Sequence, residues 1–194
     1  MTLAQACVRL NEPDDDALLA RFQDGDDAAF SAIYERYRGP VTGYAWRMLG
    51  RREEAEEVCT DTFCRIVEGR YRRVGGTVRG YVFTVAHRLC IDRIRRRGSR
   101  TRALLRLVTF AEVTPVDDSP ENAALHDERT AAVERAIAEL PEAHRATTLL
   151  YYGQELPSRE VARVLGCTDQ QVRSRLAYAR KRLRVLLADE EAIC

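Results

Sequence analysis

The sequence predicts an all-α protein made of two small helical domains joined by a flexible linker. Three observations carry this expectation. Apolar residues recur at i, i+3, i+4 and i+7 in one segment after another, and no run alternates in the manner of a half-buried strand. From Ser99 to about Asn122 the periodicity weakens, and Pro115, Pro120 and an acidic cluster interrupt it. The last forty or so residues then pair a short helix with a long basic one across a tight turn. The expected boundaries are a first domain over 14–98, a linker over 99–122 and a second domain over 123–188.

In the first domain, residues 1–13 have no helical period and are expected to be loose. Leu18, Leu19 and Phe22 begin a short helix that ends near Gly25. Phe30, Ile33, Tyr34 and Tyr37 start the next stripe, which Gly39-Pro40 punctuates because proline has no N–H to donate. Val41, Tyr44, Ala45, Met48 and Leu49 continue the same period up to Gly50. A third helix places Ala55, Val58, Cys59, Thr62, Phe63, Ile66 and Val67 on one side and Glu56, Glu57, Asp61 and Arg65 on the other. A basic, glycine-containing loop follows from Gly69 to Gly80, with Arg70, Arg72, Arg73 and Arg79. Tyr81, Val82, Val85, Ala86, Leu89 and Ile94 make a further helix, running into Arg95-Arg96-Arg97. Residues 104–111 are apolar enough for a turn or two of helix inside the linker.

In the second domain, Glu160 to Leu165 reads as a short helix closed by Gly166, a residue suited to a left-handed C-cap. Cys167 and Thr168 form the turn, and the Thr168 hydroxyl is placed to cap the next helix. In that helix Val172, Leu176, Ala179, Leu183 and Leu186 form an apolar seam. Arg173, Arg175, Arg180, Lys181, Arg182 and Arg184 surround it, with no acid from Gln170 to Ala188. Two helices joined so tightly leave the second free to enter a DNA major groove.

Charge and composition narrow the function classes. The formal net charge is only +1, but it conceals segregation: acids gather at Asp14 to Asp16, Asp24 to Asp27 and Glu53 to Glu57, and bases from Arg93 to Arg106 and in the last helix. Two separate basic blocks suggest two contacts with a polyanion. No apolar run has the length of a membrane span and no signal-peptide pattern opens the chain, so a cytoplasmic protein is expected. Its six cysteines are then thiols without metal-type spacing. Cys59 and Cys90 read as buried hydrophobes; Cys7 and Cys194 lie near the ends, and a redox or metal-sensing role stays open as an alternative. His87, His126 and His144 are scattered, and neither HExxH nor a phosphate-binding glycine loop occurs. No catalytic residues, metal site or cofactor are expected.

Three stretches in order carry a family resemblance. Ala55-Glu56-Glu57-Val58-Cys59-Thr60-Asp61-Thr62-Phe63, the segment from Arg79 to Arg96, and Leu140-Pro141 through Arg184 are similar to regions two and four of bacterial sigma factors of the extracytoplasmic-function (ECF) group. The resemblance implies a sigma region 2 bundle and a sigma region 4 helix-turn-helix. It implies docking on the RNA polymerase core through Glu57, Asp61, Phe63 and Arg65, against the clamp helices of the largest subunit, and a second contact with the flap of the second-largest subunit. It implies capture of the −10 element by Arg70, Arg72, Arg73, Arg79, Tyr81, His87, Arg88, Arg93, Arg95 and Arg96. The −35 element falls to Thr168, Gln170, Gln171, Arg173, Ser174, Arg175, Tyr178, Arg180 and Lys181. An anti-sigma factor as partner is implied as well.

The residue chemistry suits these roles. A positively charged loop with glycines can follow a single strand closely, and arginine and glutamine early on a recognition helix can bond guanine and adenine. Arg88, Arg93, Arg95 and Arg96 are expected on the exposed side of their helix. Phe63 reads as either core or contact, and Tyr81 as either a stacking face or a core residue. The chain departs from the family pattern at Tyr81, where tryptophan is usual, at Arg88, where asparagine is usual, and at Pro157, which shifts a helix start without loss of the fold. Two other function classes are weighed: a free-standing dimeric helix-turn-helix regulator, and a nuclease or recombinase. The acidic helix face and the basic loop after it have no use in the regulator.

Overall fold

The computed structural model describes residues 14–69, 75–107 and 128–191. The N-terminal stretch, Arg70, Arg72 and Arg73, and most of the expected linker lie outside the described residues. Among the described residues every regular element is helical. The first unit contains α1 (Asp15–Gln23), α2 (Asp27–Leu49), α3 (Arg52–Val67) and α4 (Val78–Leu107). The second contains α5 (Glu128–Ala138), α6 (Glu142–Thr148), a π-helical turn (Leu149–Gly153), α7 (Ser158–Leu165) and α8 (Asp169–Glu191).

Local chemistry starts and ends these helices where charge and glycine allow. Asp26 caps α2 by accepting from the N–H groups of Ala28 and Ala29, at 3.0 and 3.2 Å. Asp15 fastens α1 to α2 by accepting from Arg36 and from the Tyr37 hydroxyl. Thr77 caps α4, accepting from the Gly80 N–H at 3.0 Å.

Two expectations are corrected. Gly39-Pro40 does not divide α2, which runs unbroken with Pro40 inside it. Ile33, Tyr37, Val41, Tyr44, Ala45 and Met48 are all buried along one side, and they share a face only if the helix continues. A proline inside a helix costs about 3 kcal/mol or more, whereas each large apolar side chain buried contributes about 1.5–3 kcal/mol. Pro40 is exposed, so the interruption falls on the solvent side. The second correction concerns the end of α4, which passes residue 98 and reaches Leu107. Gly98 alone costs a helix roughly 1 kcal/mol. Arg97, just before it, anchors the helix by donating to Leu49 O at 3.0 Å and to Glu54 at 3.2 Å. A smaller difference is Val67, assigned to the apolar side of α3 yet 52% exposed at its last turn.

Buried residues of both units form one continuous cluster, from Leu18 in α1 to Leu176 in α8. Tyr44 and Phe83 meet edge to face within it, with ring centres 5.6 Å apart. The units touch where α4 meets α7 and where α2 meets α5, α6 and the π turn.

Candidate nucleic-acid and polymerase interface

The helix-turn-helix is built by capping. Gly166 closes α7 in the left-handed conformation, φ 62°, and the Cys167 N–H returns to Ala162 O at 2.9 Å. Thr168 and Gln171 then bond reciprocally. The Thr168 N–H donates to Gln171 Oε1 at 2.9 Å, and the Gln171 N–H to Thr168 Oγ1 at 3.2 Å. This is a capping box, which settles where α8 begins. Asp169 adds a third tie, accepting from the Ser158 hydroxyl at 2.5 Å across the turn. The Ser158 hydrogen bond, then the charge of Arg173 beside it, holds the Asp169 carboxyl below the usual carboxylate range. Pro157 serves as the N-cap residue of α7, which starts at Ser158 as the proline allows.

The turn delivers Gln170, Gln171, Arg173 and Ser174 together, exposed, at the start of α8. Arg173 rests on Asp169 at 2.7 Å but its side chain is 73% exposed. Arg180 and Lys181 are exposed farther along. Tyr178 is exposed too, with its ring 4.4 Å from that of His144. Arg175 is half-buried and donates to Cys167 Sγ at 3.7 Å. The seam residues Val172, Leu176 and Ala179 are buried, while Leu183 and Leu186 are half-buried.

On the first unit, the polar side of α3 presents Glu57 and Asp61, with Arg65 half-buried beside them. Arg93 is not the exposed residue expected on α4: 18% of its side chain is accessible, and its guanidinium donates to Glu57 at 3.2 Å and Asp61 at 3.1 Å. Glu57 and Asp61 lie one turn apart on one helix, so their like charges draw the nearest cation between them. Replacing Arg93 by alanine should therefore lower the unfolding free energy by less than about 1 kcal/mol, as for other pairs with exposed acids; chemical denaturation measures it.

Arg88, Arg95 and Arg96 remain exposed along α4. Phe63 is 3% exposed, its ring 4.9 Å from Tyr34 and 6.3 Å from Phe30, and so belongs to the core. Tyr81 is half-buried against the core cluster. Arg79 is half-buried, donating to Gln154 O at 2.9 Å, with its guanidinium 5.8 Å from the centre of the Tyr37 ring.

His87 is also largely enclosed, its Nδ1 sharing a 2.9 Å hydrogen bond with the Tyr44 hydroxyl. Burial, then the charges of Arg88 and Arg175, push its imidazole down to about 4. The folded protein thus keeps His87 neutral where the unfolded chain, near 6.5, already binds a proton. That contribution to stability is whole above about pH 6.5 and disappears as pH falls through about 4. At roughly 1.4 kcal/mol per unit it amounts to about 3 kcal/mol. His87→Gln should flatten the loss of stability between pH 6.5 and 4, measured by urea unfolding across that range.

Cys59 and Cys90 are buried, and burial pushes the Cys90 thiol up to about 12. Among the described residues no group of histidine, cysteine or acid side chains is arranged to hold a metal ion, and no helix is long and apolar enough to cross a membrane. Several residues in the contacts between units carried no signal for them in the sequence, among them Arg145, Gln154 and Glu160. Each reaches a partner in the first unit far away along the chain, and no local periodicity encodes such a pairing.

Comparisons with known proteins follow the same division. The Sigma-70 region 2 family matches residues 33–100, and the Sigma-70, region 4 family matches residues 130–183. The chain is similar to the ECF RNA polymerase sigma factor SigL of Mycobacterium tuberculosis, 31% identical over 84% of this chain and 90% of that protein. It is 30% identical to the ECF RNA polymerase sigma factor SigE of Mycolicibacterium smegmatis, over 84% of this chain but only 65% of that one. Its fold is similar to that of the sigma factor RpoE from Bartonella quintana, solved in complex with the anti-sigma factor NepR. The TM-score is 0.64 at 19% identity, covering 82% of this chain and 96% of that one.

Proposed function

Because this chain belongs to the ECF sigma factors of bacterial RNA polymerase, we propose that its two units divide promoter recognition between them, with no catalysis of their own. Residues 123–188 read the −35 element as duplex, and residues 14–98 dock on core polymerase and capture the −10 element as a single strand; the stretch 99–122 connects them. The single observation that carries this reading is the capped turn before α8, which holds Gln170, Gln171, Arg173 and Ser174 exposed at the end of a helix-turn-helix that reaches base edges.

Arg173 and the two glutamines select bases, while Arg175, Arg180, Lys181 and Tyr178 position the duplex backbone. Thr168 shapes the turn and offers its hydroxyl to a phosphate. In the first unit Glu57 and Asp61, flanked by Arg65, meet a basic surface of the clamp helices; Phe63 supports them from the core. A second contact joins the −35 unit to the flap. Arg79, Tyr81, Arg88, Arg95 and Arg96 face the −10 strand, together with the loop arginines Arg70, Arg72 and Arg73. Arg93 and His87 act at one remove, Arg93 by orienting the acids and His87 by bracing α4 against Tyr44. An anti-sigma factor is a fitting partner, since the RpoE relative is solved with one.

Run-off transcription with core polymerase on a randomised promoter library tests the proposal. Starts should define two sequence blocks at a constant separation. A protein that binds duplex DNA tightly alone and does not respond to core would instead be a free-standing regulator. Asp61→Ala should weaken assembly with core about tenfold, the scale of one charge-assisted hydrogen bond. Arg93→Ala should leave assembly equal or tighter, because it frees Asp61 from an internal competitor. Fluorescence anisotropy of labelled protein titrated with core measures both.

A further inference from the structure

Asp169 is the first residue of α8 and has no part in the DNA and polymerase contacts proposed above. The start of that helix is already served by the capping box of Thr168 and Gln171. The two oxygens of the Asp169 carboxylate are directed to side chains on different helices. Oδ1 accepts from the Ser158 hydroxyl of α7 at 2.5 Å, across the turn. Oδ2 holds the Arg173 guanidinium at 2.7 Å, one turn along α8. A relay thus runs from α7 across the turn to the exposed face of α8. Ser158 and Asp169 are half-buried, whereas 73% of the Arg173 side chain is accessible.

An acid on a face that meets DNA needs a reason, because the duplex phosphates repel it. Stability is a poor one, since an exposed pair at i, i+4 contributes little. The Ser158 bond changes what the pair does. It holds the carboxylate from a second helix, so the guanidinium resting on that carboxylate is held as well. A freely rotating arginine has many rotamers and can bond guanine, thymine O4 or a phosphate. One whose fork is set in advance loses less freedom on contact, and it keeps the two-donor geometry that guanine N7 and O6 accept.

We infer that Asp169 is a positioning residue for base selection: held by Ser158, it aims Arg173 at a guanine of the −35 element and keeps it from the neighbouring phosphates. This rests on reading Arg173 as a base-selecting residue. Arg173 makes the contact, Asp169 sets its direction, and Ser158 sets that of Asp169. The same carboxylate weakens binding to DNA of any sequence, so Asp169 raises selectivity while lowering general affinity.

Holoenzymes carrying Asp169→Asn, Ser158→Ala, Arg173→Ala or Asp169→Asn with Arg173→Ala test this by run-off transcription. The templates are a library-selected promoter and its three variants at the −35 base pair that Arg173→Ala ceases to discriminate, a pair that should contain guanine. Asparagine keeps the size of the side chain at 169, and circular dichroism confirms the helices of each variant. For Asp169→Asn the preference for the selected base should fall about three- to tenfold, the scale of ordering one long side chain. Its holoenzyme should nevertheless bind a promoterless duplex more tightly, as measured by anisotropy; a residue that only stabilised the fold would weaken both. Ser158→Ala should lower the preference too, by a smaller factor. With Arg173 already replaced by alanine, Asp169→Asn should change the preference no further. If Asp169→Asn keeps the full preference, or lowers it equally without Arg173, Asp169 does not act through Arg173 and the inference falls. Core-dependent initiation with Arg173→Ala discriminating every −35 base as before overturns the reading of Arg173, and the positioning role with it. Loss of discrimination in Arg173→Ala but not in Asp169→Asn removes the positioning role alone.

Discussion

Phe63→Ala should cost the first unit about 3–5 kcal/mol, the range for removing a buried aromatic ring. The ring sits between Phe30 and Tyr34, and Ala55, Val58, Cys59 and Ile66 of the same helix are buried with it. Its loss leaves a cavity that these helices can only partly collapse into. Urea unfolding followed by circular dichroism should show the midpoint falling with little change in slope. Binding to core should fall with the folded fraction and return when the temperature is lowered. An Asp61→Ala protein should behave oppositely, fully folded at both temperatures and weak on core at both. A Phe63→Ala protein of unchanged stability that fails to bind core would make Phe63 a contact and overturn its place in the core.

Arg173→Ala should reduce initiation from a promoter chosen by the library selection by about five- to hundredfold, as one bidentate base contact contributes about 1–3 kcal/mol. The loss should be confined to promoters with the selected base at one −35 position, and substitution of that base should cost the unaltered protein the same factor. Arg180→Ala gives the contrast. As a phosphate contact it should weaken all promoters alike and lower the salt dependence by about one ion. Equal losses across all −35 sequences for Arg173→Ala would move that residue to the phosphate group. The Asp169 ion pair does not prevent base reading, because the Arg173 side chain is mostly exposed and such a pair is weak.

Much of the candidate site was legible in the spacing of residues. The turn of the helix-turn-helix was readable because Gly166, Thr168 and Gln171 act on backbone groups within a few positions of themselves. Gln170 to Ser174 follow from that turn, since a capped helix start determines which residues come first. Phe63 and Tyr81 were ambiguous for a physical reason. An aromatic at the edge of an apolar stripe serves core and contact equally well until its neighbours are known. Arg93 and Arg95 look alike in sequence, but only Arg93 comes opposite Glu57 and Asp61 when α4 crosses α3. The family resemblance implies a DNA role for Arg93; its partner follows from packing.

By itself, the sequence determined an all-α chain, two helical units with an interrupted stretch between them, and a basic recognition helix. These are consequences of short-range forces: i to i+4 hydrogen bonding, the periodic burial of apolar side chains, and caps that satisfy the ends. The tertiary structure alone decided that α2 runs through Pro40, that α4 reaches Leu107, that Arg93 serves the acids of α3, and that Glu160 closes on Gly76 and Gly80. Each of those outcomes is a balance between a local penalty and contacts with residues distant along the chain. Continuity at Pro40 depends on a buried stripe outweighing one lost hydrogen bond, and burial of Glu160 depends on two glycines in the other unit. Such terms exist only once the helices have met.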